Sequence, residues 1–460
     1  MPKPLRILHL STRLILGGSQ ENTVLSCEGQ SRLGHEVHLA HGPIYGPEGS
    51  LLDRVAAFAC VAPDGSSRRI VTHEVPDLVR EVSPRRDAKC LGQLKRLIRD
   101  VRPDVIHTHS SKAGILGRMA GWAVWQEGTV LGAEGAKRPA VVHTIHGPPF
   151  MPIEGGAFKR LKIALGNAIY TLAERYAAAR CHAIVSVADA MTEQFLSRNI
   201  GYPELYTTVR SGIDLAPFAN PGPSQDRDSV RGALGLRPGH FVVGTVARLA
   251  EHKGHADLLA AIKSLEHPTA NIGSLPNLLL PNLVLLWVGD GWLRESLLAT
   301  ARADHSAPRF NVVELDKAAS VPAAWAGTNP TFPTIVLTGL VPPQRIPSLI
   351  RAMDVLCHPS YREGLPRTVP QALLCGVCPV AYDVDGTKEA CIDGVTGKLI
   401  SPGNISALAA AILWMHDHPT QRAALAAAGR EMCLAGWSTE AMVAGLDNVY
   451  LSALKRAAQP

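Results

Sequence analysis

The strongest constraint in this sequence is a rhythm. Short apolar, β-branched runs alternate with stretches of helical period, and the alternation runs twice along the chain. In the first half the strand candidates are residues 6–12 (RILHLST), 36–42 (EVHLAHG), 104–110 (DVIHTHS), 140–147 (AVVHTIHG) and 183–188 (AIVSVA), with helix-period stretches at 19–33, 88–101 and 156–180. Strands separated by helices of this length pair in parallel, through right-handed crossovers. The rhythm breaks at 206–229 (YTTVRSGIDLAPFANPGPSQDRDS), whose Pro, Gly and polar content reads as a linker. It resumes with strand candidates at 241–249, 282–291, 334–340, 355–360 and 378–383. At 460 residues the chain exceeds what one core organises. The expectation is an α/β protein of two doubly wound domains, residues 1–215 and 216–436, with the default ligand site in a crevice between them. A last amphipathic helix, 437–460, opens on Ser438, Thr439 and Glu440 and is expected to pack back on the N-terminal domain. Segments 121–139, 265–281 and 316–333 carry no clear period and read as surface loops.

Composition narrows the function. A net charge of +6 suits anionic small molecules or an acidic membrane surface. Aromatics are only 5% and no basic tract is interleaved with stacking rings, which argues against nucleic acid. No run of about 18 uncharged apolar residues offers a membrane span. The start, MPKPLRILHLSTRLILGG, is broken by His9 and Arg13 and reads as a core strand rather than a secretory signal. Nine cysteines, an odd number scattered at apolar positions, fit a reducing compartment such as the cytoplasm. The one C-x-x-C, Cys375 and Cys378, reads as two buried small hydrophobes.

Three stretches have the chemistry of an anion site. Gly17-Gly18 follows a strand and precedes a helix, so a phosphate can approach backbone N–H groups there, although the full G-x-G-x-x-G spacing is missing. In VARLAEHKG, Arg248 and Lys253 fall at the carboxyl edge of the second sheet, where two cations can neutralise a diphosphate and the charge that builds as it leaves. In YREGLPRTVPQALLCG, the N–H groups of Gly364 and Leu365 can face an anion. Glu363 sits beside them to accept sugar hydroxyls, and Pro366 suits the first turn of the following helix. The histidine pairs His107/His109 and His143/His146 look like metal ligands. No carboxylate or cysteine set of metal spacing accompanies them, so no metal is expected. Asp383 and Asp385 (DVD) read as turn-forming acids.

Taken in order, these pieces resemble the retaining nucleotide-sugar glycosyltransferases of family 4. The resemblance also takes in VRSGIDLAPF, LLWVGDGWLRESL and the long block 337–403, and covers about nine-tenths of the chain. It implies the GT-B fold, two Rossmann-like domains facing across a cleft. It further implies transfer of a sugar from a nucleoside diphosphate sugar, with UDP favoured, to a sugar, lipid-linked or other hydroxyl acceptor, without an obligatory metal or other cofactor. By position, Arg248 and Lys253 match the family's diphosphate-gripping pair, and Glu363 the first acid of its Glu-seven-residues-Glu motif. Gly364 and Leu365 match the amide loop at the donor. Gly17 and Gly18 match the N-terminal loop that closes on the diphosphate, and His146 a histidine near the reacting centre.

Gln371 departs from the pattern, standing where the second Glu contacts the ribose. It keeps an acceptor oxygen, adds an N–H₂ donor and loses the charge. That departure leaves a non-catalytic sugar-nucleotide-binding protein as an alternative; an epimerase or phosphorylase of the same fold is another. The stretch 156–180 carries Lys159, Arg160 and Lys162 at its start. It reads as a helix packed on the first sheet, with peripheral contact to an anionic membrane, at the inner face of the cell membrane, as the second reading.

Overall fold

The computed structural model describes residues 3–44, 49–130, 138–151, 156–265, 282–302, 310–317, 321–325, 328 and 332–459. The chain forms two units, one of Met1–Gly212 with Thr439–Pro460 and one of Ile213–Ser438. Sequence reading puts the two crossings at 215/216 and 436/437.

The first unit holds strands β1 (Arg6–Ser11), β2 (Glu36–His41), β3 (Val71–Glu74), β4 (Val105–His109), β5 (Ala140–Ile145), β6 (Ala183–Ser186) and β7 (Tyr206–Thr208). They form one parallel sheet in the order β3-β2-β1-β4-β5-β6-β7. The order reverses between β1 and β4, so the loops after these strands open at a topological switch point. Among the helices against the sheet are α1 (Gly18–Arg32), α2 (Pro84–Val101), α3 (Ser111–Val130) and α4 (Ala157–Ala178). Inward side chains Ile7, Val105, Val142 and Val185 meet Met442, Leu446 and Ala453 of the C-terminal helix, labelled below, in one buried cluster.

The second unit repeats the plan with β8 (Phe241–Val246), β9 (Leu283–Val288), β10 (Asn311–Glu314), β11 (Thr334–Leu337), β12 (Val355–His358), β13 (Cys378–Tyr382) and β14 (Lys398–Ile400). Their order is β10-β11-β9-β8-β12-β13-β14, and all pairs are parallel. The switch point lies between β8 and β12. Helices α5 (His255–Ser264) and α6 (Thr368–Leu374) follow these two strands, and α7 (Thr439–Ala457) returns the chain to the first unit. The core packs Val243, Leu285, Trp287, Ile335, Val355 and Val380 beneath Leu258, Ile262 and Ile412. Among the described residues no helix is long and apolar enough to cross a membrane.

Three expectations are corrected. Residues 121–130, read as loop, continue α3. Gly114, Gly117 and Gly121 lie on one side of this helix, where an added Cβ would meet His143 at 2.5 Å, Thr108 at 2.6 Å and Ile106 at 3.0 Å. These glycines let the helix lie close on β4 and β5 instead of breaking it. Within the 206–229 linker, Tyr206–Thr208 is the edge strand β7, and Arg227–Ala233 is a helix capped by Asp226. Pro366 falls outside the first turn of α6, whose N-cap is Arg367. Residues 266–281 and most of 318–331 lie outside the described residues, apart from a short helix at Val321–Ala324.

Candidate functional site

At the switch point of the second sheet, the loops after β8 and β12 come into direct contact. The first carries Arg248, a 3₁₀ turn at Glu251–Lys253, and Gly254 in the left-handed region at φ 67°. A Cβ on Gly254 would stand 1.9 Å from the Pro359 carbonyl oxygen, so only glycine lets the two loops meet this closely. The His252 carbonyl accepts from the Tyr361 N–H at 2.8 Å and from Ser360 Oγ at 3.0 Å, which locks the loops in register.

That lock brings Lys253 Nζ to 2.5 Å from Glu363 Oε1, although the two are 110 positions apart. His358, the last residue of β12, places Nε2 3.1 Å from the same oxygen. Burial pushes the Glu363 carboxyl up, but the Lys253 ammonium and the His358 ring outweigh it and hold it well below the ordinary carboxylate range. The Glu363 N–H donates to Asp385 Oδ2 at 2.8 Å, and the Gly386 N–H donates to the Gly364 carbonyl at 3.0 Å. Asp385 opens a 3₁₀ turn with φ 46°, so the DVD acids do form a turn, and one of them also holds the Glu363 loop.

With Glu363 tied, the next two amides are left to point elsewhere. Gly364 and Leu365 are buried, and among the described residues no acceptor meets either N–H. Two adjacent N–H groups of buried residues without an acceptor are able to meet anionic oxygens. Gln371 lies one turn into α6 and is 9% exposed; among the described residues its side-chain amide has no hydrogen-bond partner. Arg248 is exposed on the β8 loop, its guanidinium carbon 5.8 Å from the centre of the Trp292 ring, while Trp292 Nε1 donates to Glu251 Oε2 at 2.9 Å.

The remaining expected residues belong to the first unit, at the carboxyl edge of its sheet. Gly17 is the N-cap of α1 with extended backbone, and Gly18 is the helix's first residue. His146 follows β5, with Nε2 3.0 Å from His109 Nδ1. His107 and His109 share one face of β4, their ring centres 4.2 Å apart. Sequence reasoning missed His358, Asp385 and Trp292 as contributors. His358 carried a faint signal, five positions before Glu363 at a strand end. The Asp385 contact spans 22 positions and needs the fold.

Known proteins agree with this layout. Residues 16–217 match the model of Glycosyltransferase Family 4, and residues 333–432 match that of Glycosyl transferases group 1. The chain is 27% identical over 346 residues to the UDP-Gal:alpha-D-GlcNAc-diphosphoundecaprenol alpha-1,3-galactosyltransferase of Escherichia coli, covering 75% of this chain and 74% of that one. It is 29% identical over 315 residues to the 2-deoxystreptamine N-acetyl-D-glucosaminyltransferase of Streptomyces fradiae, covering 68% of this chain and 62% of the relative. In fold it resembles Anabaena HepE, solved with UDP and glucose, at TM-score 0.67 and 18% identity over 97% of this chain and all of that one. The sucrose-phosphate synthase of Thermosynechococcus elongatus aligns at TM-score 0.68 and 17% identity, over 98% of this chain and all of that one. The two family matches take in well over half of the chain, one in each unit, and the switch-point loops are where such a fold holds its ligand. The chain belongs to the family 4 glycosyltransferases, and its two doubly wound units are the two halves of the GT-B fold.

Proposed function

We propose that the protein transfers a sugar, with retention at the anomeric carbon, from a UDP-sugar to the hydroxyl of a lipid-linked acceptor in glycoconjugate or polysaccharide synthesis. The observation that carries this reading is the pairing of the Lys253–Glu363–His358 contact with the N–H groups of the buried residues Gly364 and Leu365, which meet no acceptor among the described residues. The Lys253 ammonium has three donors, of which one serves Glu363. The others, the exposed Arg248 and the amides supply positive charge to a diphosphate. In the step, the bond from the anomeric carbon to the β-phosphate oxygen breaks and its electron pair stays on the diphosphate. The acceptor oxygen bonds to the same face of the carbon, and its proton passes to the departing phosphate oxygen. Charge neutralisation and orientation carry most of such a reaction. Four cationic or N–H partners from this chain give the diphosphate its counter-charge, which supports a transfer without an obligatory metal. Glu363, held ionised, accepts hydroxyls of the donor sugar.

The proposed acceptor class is supported by one relative and by one surface. The E. coli relative acts on a diphosphoundecaprenol-linked sugar. On α4, the side chains of Phe158, Leu161, Leu165, Ile169, Leu172 and Tyr176 recur at helical spacing and are between 48% and 83% exposed. Lys159, Arg160 and Lys162 stand exposed at the start of the same helix. An apolar stripe flanked by cations complements an anionic lipid surface, on the cytoplasmic face where such lipids and nucleotide sugars meet. Full-chain protein is expected to co-sediment with vesicles containing anionic phosphatidylglycerol and not with neutral phosphatidylcholine vesicles, and Leu165→Glu with Ile169→Glu is expected to abolish it. Equal sedimentation of both proteins with both vesicles removes the membrane part of the reading.

The transfer itself is tested by product stereochemistry. With an α-linked UDP-sugar and a diphosphopolyprenol-linked sugar as acceptor, the anomeric coupling in the product's proton spectrum is expected to report an α-linkage. A β-linkage rules out retention. Binding of donors with no turnover across a panel favours the non-catalytic alternative that Gln371 leaves open.

A further inference from the structure

Asp257 stands in the first turn of α5, four positions past Lys253. The helix dipole alone favours an acid there, and that would give it no further task. The second unit gives it one. Asp257 Oδ2 accepts from the Tyr361 hydroxyl at 2.5 Å and from the Tyr382 hydroxyl at 2.7 Å, so one oxygen holds two phenols that lie 104 and 125 positions away. An ionised carboxylate only accepts, so both phenols donate to it. The two rings meet edge to face, their centres 5.4 Å apart and their planes at 73°. Tyr382 is fully buried at the end of β13, whereas Tyr361 is 40% exposed on the loop after β12. Burial first, and then the hydrogen bond to Asp257, push the Tyr382 hydroxyl above the ordinary tyrosine range and keep it a donor.

Each of these three residues lies beside a residue of the candidate site. Asp257 follows Lys253, Tyr361 comes two positions before Glu363, and Tyr382 comes three before Asp385. The tips of the same three segments meet in the site. Lys253 Nζ bonds Glu363 Oε1, the Glu363 N–H donates to Asp385 Oδ2, and the Gly386 N–H donates to the Gly364 carbonyl. Asp257 joins those segments a second time, through side chains set back from the tips. Tyr361 is thereby held at both ends. Its N–H donates to the His252 carbonyl at 2.8 Å on the Lys253 loop, and its hydroxyl donates to the helix that this loop opens.

We infer that Asp257 is a positioning residue for the donor site: one carboxylate oxygen sets the Lys253, Glu363 and Asp385 segments relative to one another through Tyr361 and Tyr382. The inference rests on the reading above that puts the sugar nucleotide at Glu363. Hydrogen bonds to an ionised acceptor are the strong ones, and two on one oxygen fix a distance between their donors. The effect reaches the reaction as the place at which the Glu363 carboxylate and the Gly364 N–H meet the donor. A displacement of about 1 Å at such groups costs on the order of a hundredfold in rate.

The test pairs hydrogen exchange of the full chain without ligand, read by mass spectrometry, with steady-state kinetics. In Asp257→Ala, peptides covering 361–366 and 384–389 are expected to lose protection at least about tenfold more than peptides from the core strands β8 and β9, the scale of one lost hydrogen bond. The kcat/KM for a UDP-sugar is expected to fall between about tenfold and about a hundredfold. Asp257→Asn keeps an acceptor oxygen and is expected to recover most of both losses. Tyr361→Phe with Tyr382→Phe is expected to match Asp257→Ala, and adding Asp257→Ala to that pair is expected to change neither readout further. Wild-type protection of both loop peptides in a folded Asp257→Ala, or a loss spread evenly over loops and core, overturns the inference. So does lost loop protection with kcat/KM within about twofold of wild type. If Asp257→Ala fails to fold, Asp257→Asn and Tyr361→Phe decide by the same comparison of loops with core. In a wild type that transfers nothing, only the transferase reading falls, and the exchange still decides whether Asp257 sets the loops.

Discussion

At the scale of the residue, Glu363 and Gln371 are the two members of the proposed donor site whose surroundings differ most. Glu363 is fixed by three partners, and its depressed carboxyl ties it to acid stability. A group whose folded value lies below its unfolded one stabilises fully above the unfolded value of 4.5 and loses that contribution as pH falls through the folded one. Glu363→Gln is therefore expected to lower stability at pH 7, and to narrow the gap from wild type as the pH is taken well below 4.5, as read by denaturant melts. Gln371 sits buried, and its side-chain amide meets no partner among the described residues. Gln371→Glu is expected to tighten the Kd for UDP about tenfold, the difference between a charged and a neutral acceptor for a hydroxyl, with kcat within about twofold. An unchanged Kd would take Gln371 away from the ribose. The sequence identified Glu363, Lys253 and Gln371 because each stands at a motif position. It could not show that Lys253 and Glu363 touch, because that contact depends on which strands neighbour each other across the switch point. Nor could it show that Asp385 holds the Glu363 N–H from another turn.

At the scale of the element, the interior strands were legible and the edges were not. The ten strands read from sequence are the central ones of both sheets. Among the described residues, the four missed from the two seven-stranded sheets, β3, β7, β10 and β14, are their edges, and the short antiparallel pair Cys60–Val61 and Ser67–Arg68 was missed as well. An edge strand is paired on one side only and stays short and partly exposed, as Tyr206–Thr208 and Lys398–Ile400 do, so no continuous apolar run marks it. Residues 121–130 of helix α3 read as loop for a different reason: the stretch shows no clear period, and Gly121 in it serves close packing on the sheet. The same principle makes a prediction at the β8–α5 junction. Gly254→Ala must place a Cβ against the Pro359 carbonyl in a left-handed backbone. We expect a loss of at least about 2 kcal/mol in the second unit, together with loss of donor binding, because the Lys253 loop is pushed off the Glu363 loop. Native stability with native UDP affinity would mean the two loops do not meet as described.

At the scale of the whole molecule, the two units share an architecture but differ in their sensitivity to acid. Among the described residues, burial holds His9, His73, His107, His109, His143 and His182 of the first unit below the ordinary value of 6.5, against His240, His252 and His255 of the second. The unfolded chain binds these protons first, so stability is present above pH 6.5 and is lost as pH falls from there towards the folded values, about 4 for His9 and His182. Each such ring costs up to about 1.4 kcal/mol per pH unit in that window. The first unit is expected to melt well before the second at pH 5 and to regain its stability by pH 7.5, read by calorimetry. Equal shifts in both units would contradict the burial of these rings.

In the function proposed above, the β8 and β12 loops bind and activate a nucleotide sugar. Its most direct test is the rate of nucleoside diphosphate release from a UDP-sugar, with and without a diphosphopolyprenol-linked acceptor, in wild type and Lys253→Ala. Release is expected to depend on acceptor and to fall at least about a hundredfold in Lys253→Ala, the scale on which losing one preorganised charge partner acts. Wild-type release rates in Lys253→Ala, or release indifferent to acceptor, would contradict it.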